Sequence, residues 1–359
     1  MLRKTGSSDY LGSLRKNPDG TVFWGDTRGL LKSIIAKAFE KGYLCKVGSE
    51  CEFYLFKTDE NGEPTNIPLD QGGYLDVAPL DKGENVRREI CLCLEEMGLK
   101  PETSHHEQGP GQNEIDFKFS DALSCADNLL TFKTVVKTLA AQNGLFASFA
   151  PKPLRGKSGS GLHINLSLSK NGYNLFSSRN VEHSKEAESF IAGVLSKVLE
   201  MTAFLNPLPM SFDRLGEFEA PKYVSWSHDN RSQLIRIPAA TGEKMRMELR
   251  SPDPSINPYL AFALVIWAGI SGIENNLTLP ESRNVDLYTA DKGITDQLTA
   301  LPDNLGEALK IAKESKFIQD TLPPELYSKY FSLKMEEYAA YEKAIDKNRY
   351  FMEQYFTVI

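Results

Sequence analysis

Between Met245 and Asn257 the chain reads MRMELRSPDPSIN, and its first half alternates. Arg246, Glu248 and Arg250 fall on one side, Met245, Met247 and Leu249 on the other. This is the two-residue period of a strand with one face on a core. A carboxylate set between two guanidiniums suits a site that holds a metal ion and grips phosphate oxygens. A solvated strand face can carry the same pattern, so the reading depends on what else the chain supplies.

Four further carboxylates and an imidazole supply it. Glu50 and Glu52 stand two apart in GSECEFYLF, so both leave one face of a strand while Phe53 and Leu55 leave the other. Glu107 and Glu114 flank a GPGQN turn, and a hairpin there brings them near one another. His163 shares a face with Asn165 and Ser167, opposite Leu162, Ile164 and Leu166. Carboxylates projected from several strands toward one side repel one another. Cations are the natural compensation, and an oxygen-rich ligand set selects Mg²⁺ or Mn²⁺. Gly109, Gly111, Gly159 and Gly161 are expected to let backbone approach a ligand closely. Arg231 and Arg236 join Arg246 and Arg250 as groups suited to phosphate oxygens. Divalent ions with arginines around a phosphoryl group are the parts of a phosphoryl-transfer site, its acceptor unspecified. His105, His183 and His228 read as ordinary surface or loop residues, and Lys152, Arg155 and Lys157 as a basic rim or a solvated loop.

The elements that must position these residues are legible from periodicity. Apolar residues recur at helical spacing over Gly29–Lys41, with Gly42 as a stop. GSECEFYLF, KPETSHHEQ, QNEIDFKFS, FASFAPKP and SGLHINLSLSKNG read as strands, as does a pair around NRSQLIRIPAA and KMRMELRSPD. Helices are expected in ENVRREICLCLEEMGL, ALSCADNLLTFKTVVKTLAAQNG, SKEAESFIAGVLSKVLEMTAFLN and NPYLAFALVIWAGISGIENNL. A long loop, NPLPMSFDRLGEFEAPKYVSW, lies between the last two, and the tail from Asn304 is mostly helical with a break at Pro323-Pro324. Strand pairs alternating with long helices predict an α+β fold with a largely antiparallel sheet. No Walker A sequence and no Gly-x-Gly-x-x-Gly follows a strand, which argues against a doubly wound nucleotide fold.

Composition narrows the class. The 359 residues are 41% hydrophobic and 25% charged, the balance of a globular protein. A net charge of −7 gives no electrostatic reason to expect nucleic acid or an anionic membrane as partner. No stretch approaches the roughly 18 apolar residues of a membrane span, and the basic opening lacks the apolar run of a signal peptide. Five cysteines without a disulfide-like framework suit a reducing, cytoplasmic setting. Cys91 and Cys93 sit in a helical run and are expected to pack in the core.

Seven stretches in order, GSECEFYLF, HHEQGPGQNE, FAPKP, SGSGLHINLSL, EAPKY, NRSQLIRIP and MRMELRSPDPSINPYL, resemble the glutamine synthetase family in its bacterial type I branch. The match runs from about Asp26 to about Leu309. The resemblance implies a curved, largely antiparallel sheet flanked by helices. It also implies glutamine formation from glutamate, ammonia and ATP through a γ-glutamyl phosphate. It assigns one metal site to Glu52, Glu107 and Glu114 and a second to Glu50, His163 and Glu248. Arg231 and Arg236 would stabilise the transferring phosphoryl group, Arg246 would contact nucleotide phosphate, and Ser167 would lie near the nucleotide. Arg214, Arg250 and backbone at Gly159 would bind glutamate, with Tyr74 near the ammonium pocket. Glu219 would be the lid residue that helps deprotonate ammonium.

The chain also departs from the family. Only a remnant of its N-terminal β-grasp domain is expected, in residues 1–25, with the catalytic domain in 26–359. That domain lends the neighbouring subunit an ammonium-binding aspartate, and no residue here matches it. Ser158 and Met210 replace usual asparagines, and Asn165 replaces a common histidine. Tyr288 lies near the place where some members carry a nucleotidylated tyrosine. Three readings follow: a homo-oligomeric glutamate–ammonia ligase, a relative that γ-glutamylates a polyamine-type amine, or a non-catalytic family member.

Overall fold

A strand of fifteen residues, Leu44–Thr58 (β1), organises the fold because its two faces differ in chemistry. Val47, Cys51, Phe53 and Leu55 point into the main core, while Glu50 and Glu52 leave the opposite face. The computed structural model describes residues 23–177 and 183–359. The expected N-terminal remnant therefore lies almost wholly outside the described residues.

Helix Thr27–Glu40 (α1) begins at Asp26, whose carboxylate accepts from Gly29 N at 2.8 Å. This cap satisfies one of the amides a helix start leaves open. Helices Ala122–Gln142 (α3) and Lys185–Leu205 (α4) are capped in the same way by Asp121 and Ser184. Glu84–Glu96 (α2) packs against α3. Pro258–Glu274 (α5) starts with proline after an Asn257 cap and is buried on nearly every side, packed on α1, α3 and α4. Cys91 and Cys93, on α2, are half-buried against the core, as expected.

The sheet runs β3-β4-β1-β7-β11-β10-β9, where β3 is Pro101–His106, β4 Gln112–Phe117 and β7 Leu162–Lys170. The others in that path are β9 Trp226–His228, β10 Ile235–Ile237 and β11 Met247–Leu249; off it, β2 Pro64–Pro68 and β5 Ser120–Asp121 pair with β1, and β8 Tyr173–Asn174 with β7. Among the described residues every pairing is antiparallel except β9 with β10. Several expected strands are shorter in the structure, NRSQLIRIPAA being paired only over β10. FASFAPKP is extended only over Leu145–Ser148 (β6), and the Arg246–Arg250 alternation is paired only over β11. QNEIDFKFS ends its pairing at Phe117, where the chain turns back toward β1.

The register carries the chemistry. Glu52 stands opposite Glu114, and Glu114 opposite His105. Glu50 stands opposite both Asp116 and His163. Glu248 stands opposite both Asn165 and Arg236. Residues directly opposite in a ladder share a face, so all of these emerge on the side away from the helices. The same face of β1 continues into Tyr54 and Phe56, but there it is closed. Phe351, Tyr355 and Phe356 from the far end of the chain pack on them in a second core with Leu208 and Met210. The site occupies the half of the face that this cover leaves open.

Candidate active site

A pocket of about 430 Å³ opens on that half. Its wall includes Glu50, Glu52, Glu107, Glu114, His163, Gly159, Tyr74, Arg214, Glu219, Arg231, Arg236 and Arg250. Glu248, Arg246 and Ser167 are outside the wall. Glu248 is fully buried beneath two arginines, whereas Ser167 lies further along β7 opposite Lys46.

The carboxylates fall into two electrostatic groups. Glu50 is matched: its Oε2 lies 3.0 Å from His163 Nδ1, and its Oε1 accepts from Asn165 Nδ2 at 2.8 Å. Burial pushes Glu50 up, yet His163, Asn165 and Arg250 together hold the carboxyl down at about 2. Glu52 has neutral donors only, Gly161 N at 2.9 Å and Gln112 Nε2 at 2.7 Å. Burial, then the charge of Glu107, push it up to about 7. Glu114 is raised well above the carboxylate range by burial and by Asp116, Glu52 and Glu107. Asp116 is pushed up to about 7 by burial and by Glu50.

Such a cluster fits divalent cations. Ligand atoms of Glu50, Glu114 and His163 all lie within 4.8 Å of one another, as do those of His105, Glu107 and Glu114. The expected division set Glu114 with Glu52 and Glu107 and kept Glu50 with His163 and Glu248. In the structure Glu114 lies within that reach of Glu50 and His163 as well as of Glu107. Glu248 turns toward the arginines: Arg236 Nη1 donates to it at 2.8 Å, Arg250 Nη1 bonds its other oxygen, and His163 Nδ1 is 3.4 Å away.

The arginines are anchored to backbone and side chains around the pocket. Arg214, at the end of the 3-10 turn Pro209–Arg214, is buried, and its terminal nitrogens donate to the carbonyls of Ser251 at 3.0 Å, Arg250 at 3.3 Å and Pro252 at 2.7 Å. It therefore fixes the backbone that carries Arg250. Arg250 Nε in turn donates to Arg231 O at 3.0 Å. Arg246 Nε donates to Asn165 Oδ1 at 2.6 Å, on the nearby end of the sheet face. The glycines have an internal reason. A Cβ on Gly159 would lie 2.5 Å from Pro151 O and 2.7 Å from Arg214 Cγ, and one on Gly109 would overlap the Tyr54 hydroxyl. Protein packing by itself requires glycine at both positions.

Glu219 is held by unusual backbone. Phe218 and Glu219 have φ of 46° and 67°, a left-handed conformation costing roughly 1–3 kcal/mol at each residue. Its carboxylate lies 3.3 Å from Arg231 Nη1, and Arg231 sits over the Tyr74 ring at 5.9 Å. Lys152, of the expected basic rim, lies over the Phe218 ring at 4.7 Å and 3.4 Å from Glu217.

Sequence reasoning missed several site residues. His105 is no ordinary loop residue: its Nε2 lies 3.0 Å from Glu107 and 3.7 Å from Glu114. His183 is buried and stacks on His228 at 5.5 Å, away from the pocket wall. Asp116 stands two residues beyond Glu114 on one strand. The alternation that joins Glu50 to Glu52 therefore also joins Glu114 to Asp116.

The fold and its charged face define the class, an α+β enzyme with its polar site on one side of a largely antiparallel sheet. A sequence profile described as glutamine synthetase, catalytic domain, matches residues 24–353. The glutamine synthetase of Clostridium saccharobutylicum is 48% identical over 333 residues, covering 91% of this chain and 75% of that protein. That of Methanosarcina mazei is 47% identical, covering 91% and 74%. Among solved structures, GmaS in complex with ADP superposes with a TM-score of 0.83 at 30% identity, covering 93% of this chain and 79% of that one. The Plasmodium falciparum glutamine synthetase superposes at 0.79 with 25% identity, covering 95% and 81%. The chain belongs to the glutamine synthetase family. It is an enzyme, a ligase of nitrogen metabolism. No helix among the described residues is long and apolar enough to cross a membrane.

Proposed function

We propose that the chain joins ammonia to the γ-carboxylate of L-glutamate at the expense of ATP, through a γ-glutamyl phosphate. The observation that carries this reading is the one-sided gathering of Glu50, Glu52, Glu107, Glu114 and His163 beside Arg231, Arg236 and Arg250. Divalent cations, Mg²⁺ or Mn²⁺, would be held by Glu50, Glu52, Glu107, Glu114, His163 and Glu248 and would supply charge neutralisation. Residues 26–359 would form the catalytic domain, and a homo-oligomer is the expected assembly.

A γ-carboxylate oxygen attacks the terminal phosphorus and ADP leaves. The amine nitrogen then attacks the acyl carbon and inorganic phosphate leaves. Arg231 and Arg236 face the pocket and suit the charge on the transferring group. Arg246, 4.0 Å from Glu50, and Ser167, further along β7, suit the nucleotide. Arg250, Gly159 and Arg214 form the glutamate end, with Arg214 acting chiefly on the backbone it holds. Tyr74 and Glu219 form the amine end, where Glu219 takes the proton that ammonium must lose before its nitrogen attacks. An acyl phosphate hydrolyses when water enters, so the Glu219 segment also serves to exclude it.

A second reading, γ-glutamylation of a larger amine, is favoured by the amine end itself. Tyr74, Leu75 and Phe218 are all exposed there, and Ser158 stands before Gly159. Phosphate release from ATP and glutamate at saturating Mg²⁺, with ammonia or putrescine as acceptor, separates the two. No turnover with either amine overturns both.

A further inference from the structure

His106 is fully buried between two acceptors. Its Nε2 lies 2.9 Å from Asp70 Oδ1 and its Nδ1 lies 2.7 Å from the carbonyl of Glu107. Neither partner can donate, so the ring must donate from both nitrogens. Asp70 collects three amides besides: Gly72 N at 3.1 Å, Gly111 N at 2.8 Å and Lys82 N at 2.9 Å. One carboxylate thereby binds both ends of the 70–82 segment and the β3–β4 turn. His106 O closes the loop by accepting from Leu75 N at 3.0 Å. Packing is equally close, since a Cβ on Gly72 would lie 2.9 Å from His106 Nε2.

Ligand atoms of Asp70, Asp81 and His106 do lie within 4.8 Å of one another. Asp81, however, is taken by Arg87 at 2.6 and 3.1 Å and by Gly83 N at 2.8 Å. The trio is satisfied from within and needs no ion.

What the pair joins is specific. On one side is the segment carrying Tyr74, whose ring packs edge-on against His105 at 5.7 Å. On the other is the turn carrying Glu107. We propose that Asp70 and His106 are positioning residues that lock the Tyr74 segment to the Glu107 turn, so that the amine-side aromatic and a cation-binding carboxylate keep one fixed relation. This rests on the ligase reading for its amine readout, but not for its metal readout.

Two variants divide the bond pair. In His106→Gln the amide nitrogen takes the place of Nε2 and keeps Asp70. In His106→Asn it takes the place of Nδ1 and keeps the Glu107 carbonyl. Gly72→Ala displaces the ring without removing either partner. Each is titrated with Mn²⁺ alone, followed by electron paramagnetic resonance, and assayed for the KM of ammonia and of ATP. Outer residues that orient metal ligands typically change affinity by about 10–100-fold. The expected result is Mn²⁺ affinity at least tenfold weaker in His106→Gln and in Gly72→Ala, with ammonia KM raised and ATP KM within about twofold of the parent. Folded His106→Gln and Gly72→Ala with parental Mn²⁺ affinity and ammonia KM overturn the proposal, as does an equal rise in both KM values. A parent without turnover sinks the ligase reading alone, because the Mn²⁺ comparison still decides this one.

Discussion

Asp116 faces Glu50 across the β1–β4 register, yet only Glu50 has an imidazole partner. One oxygen of Asp116 is buried without a hydrogen-bond partner among the described residues, while Thr103 bonds the other. The face therefore holds a matched carboxylate beside unmatched ones, and it is the unmatched group that calls for added positive charge.

A pH dependence follows. Burial and like charges raise Glu52 and Asp116 to about 7. Between the ordinary carboxyl range near 4 and pH 7 the folded, metal-free protein thus binds more protons than the unfolded chain. Its stability should fall as pH rises through that window. Divalent ions must displace the same protons, so Mn²⁺ affinity should rise from pH 6 to pH 8 with proton release. Calorimetry in two buffers of different ionisation enthalpy measures that release, and equal affinity at both pH values contradicts it.

Glu248→Gln should be costly to the fold as well as to turnover. The side chain is fully buried between Arg236 and Arg250, and Arg250 is itself buried. Removing one partner of such a pair typically costs about 3–5 kcal/mol because a charge is left without compensation. Chemical denaturation with and without the substitution gives the figure, and a change below 1 kcal/mol goes against it.

Gly159→Ala should destabilise by about 1–3 kcal/mol through overpacking. The added methyl meets Pro151 O and the Arg214 side chain, so the disturbance reaches the three carbonyls that Arg214 holds. A raised KM for glutamate with an unchanged KM for ATP is expected. An unaltered melting temperature would show that the contact relaxes freely.

Much of this site was legible because strand alternation is local. Glu50 with Glu52, and His163 with Asn165, follow from counting by two. Cross-strand register is non-local, and there sequence reading lost its grip. Nothing near Glu50 announces that Asp116 and His163 lie opposite, and nothing near Tyr54 announces that Phe356 closes its half of the face. The family resemblance supplied the ordering that periodicity lacked. It also implies a carboxylate-binding role for Arg214, whose terminal nitrogens hold three backbone carbonyls beside the pocket it lines. At Gly109 and Gly159, expected as places of ligand approach, side chains and carbonyls also stand close.

Glu219→Gln should separate the two halves of the reaction. Loss of a general base typically costs about 10²–10⁴-fold, and the loss should fall on amine attack. ADP formation from ATP and glutamate in a single turnover should survive while amide formation drops. Equal loss of both would assign Glu219 to the phosphoryl step.

The central claim is that this face holds divalent cations in reach of Glu114. Anomalous diffraction from crystals soaked in Mn²⁺ tests it without any substrate. The account predicts manganese peaks touching Glu114, one beside Glu50 and His163 and one beside Glu107, and weakened peaks in Glu114→Gln. Manganese absent from this pocket, or bound there equally well without the Glu114 carboxylate, contradicts it.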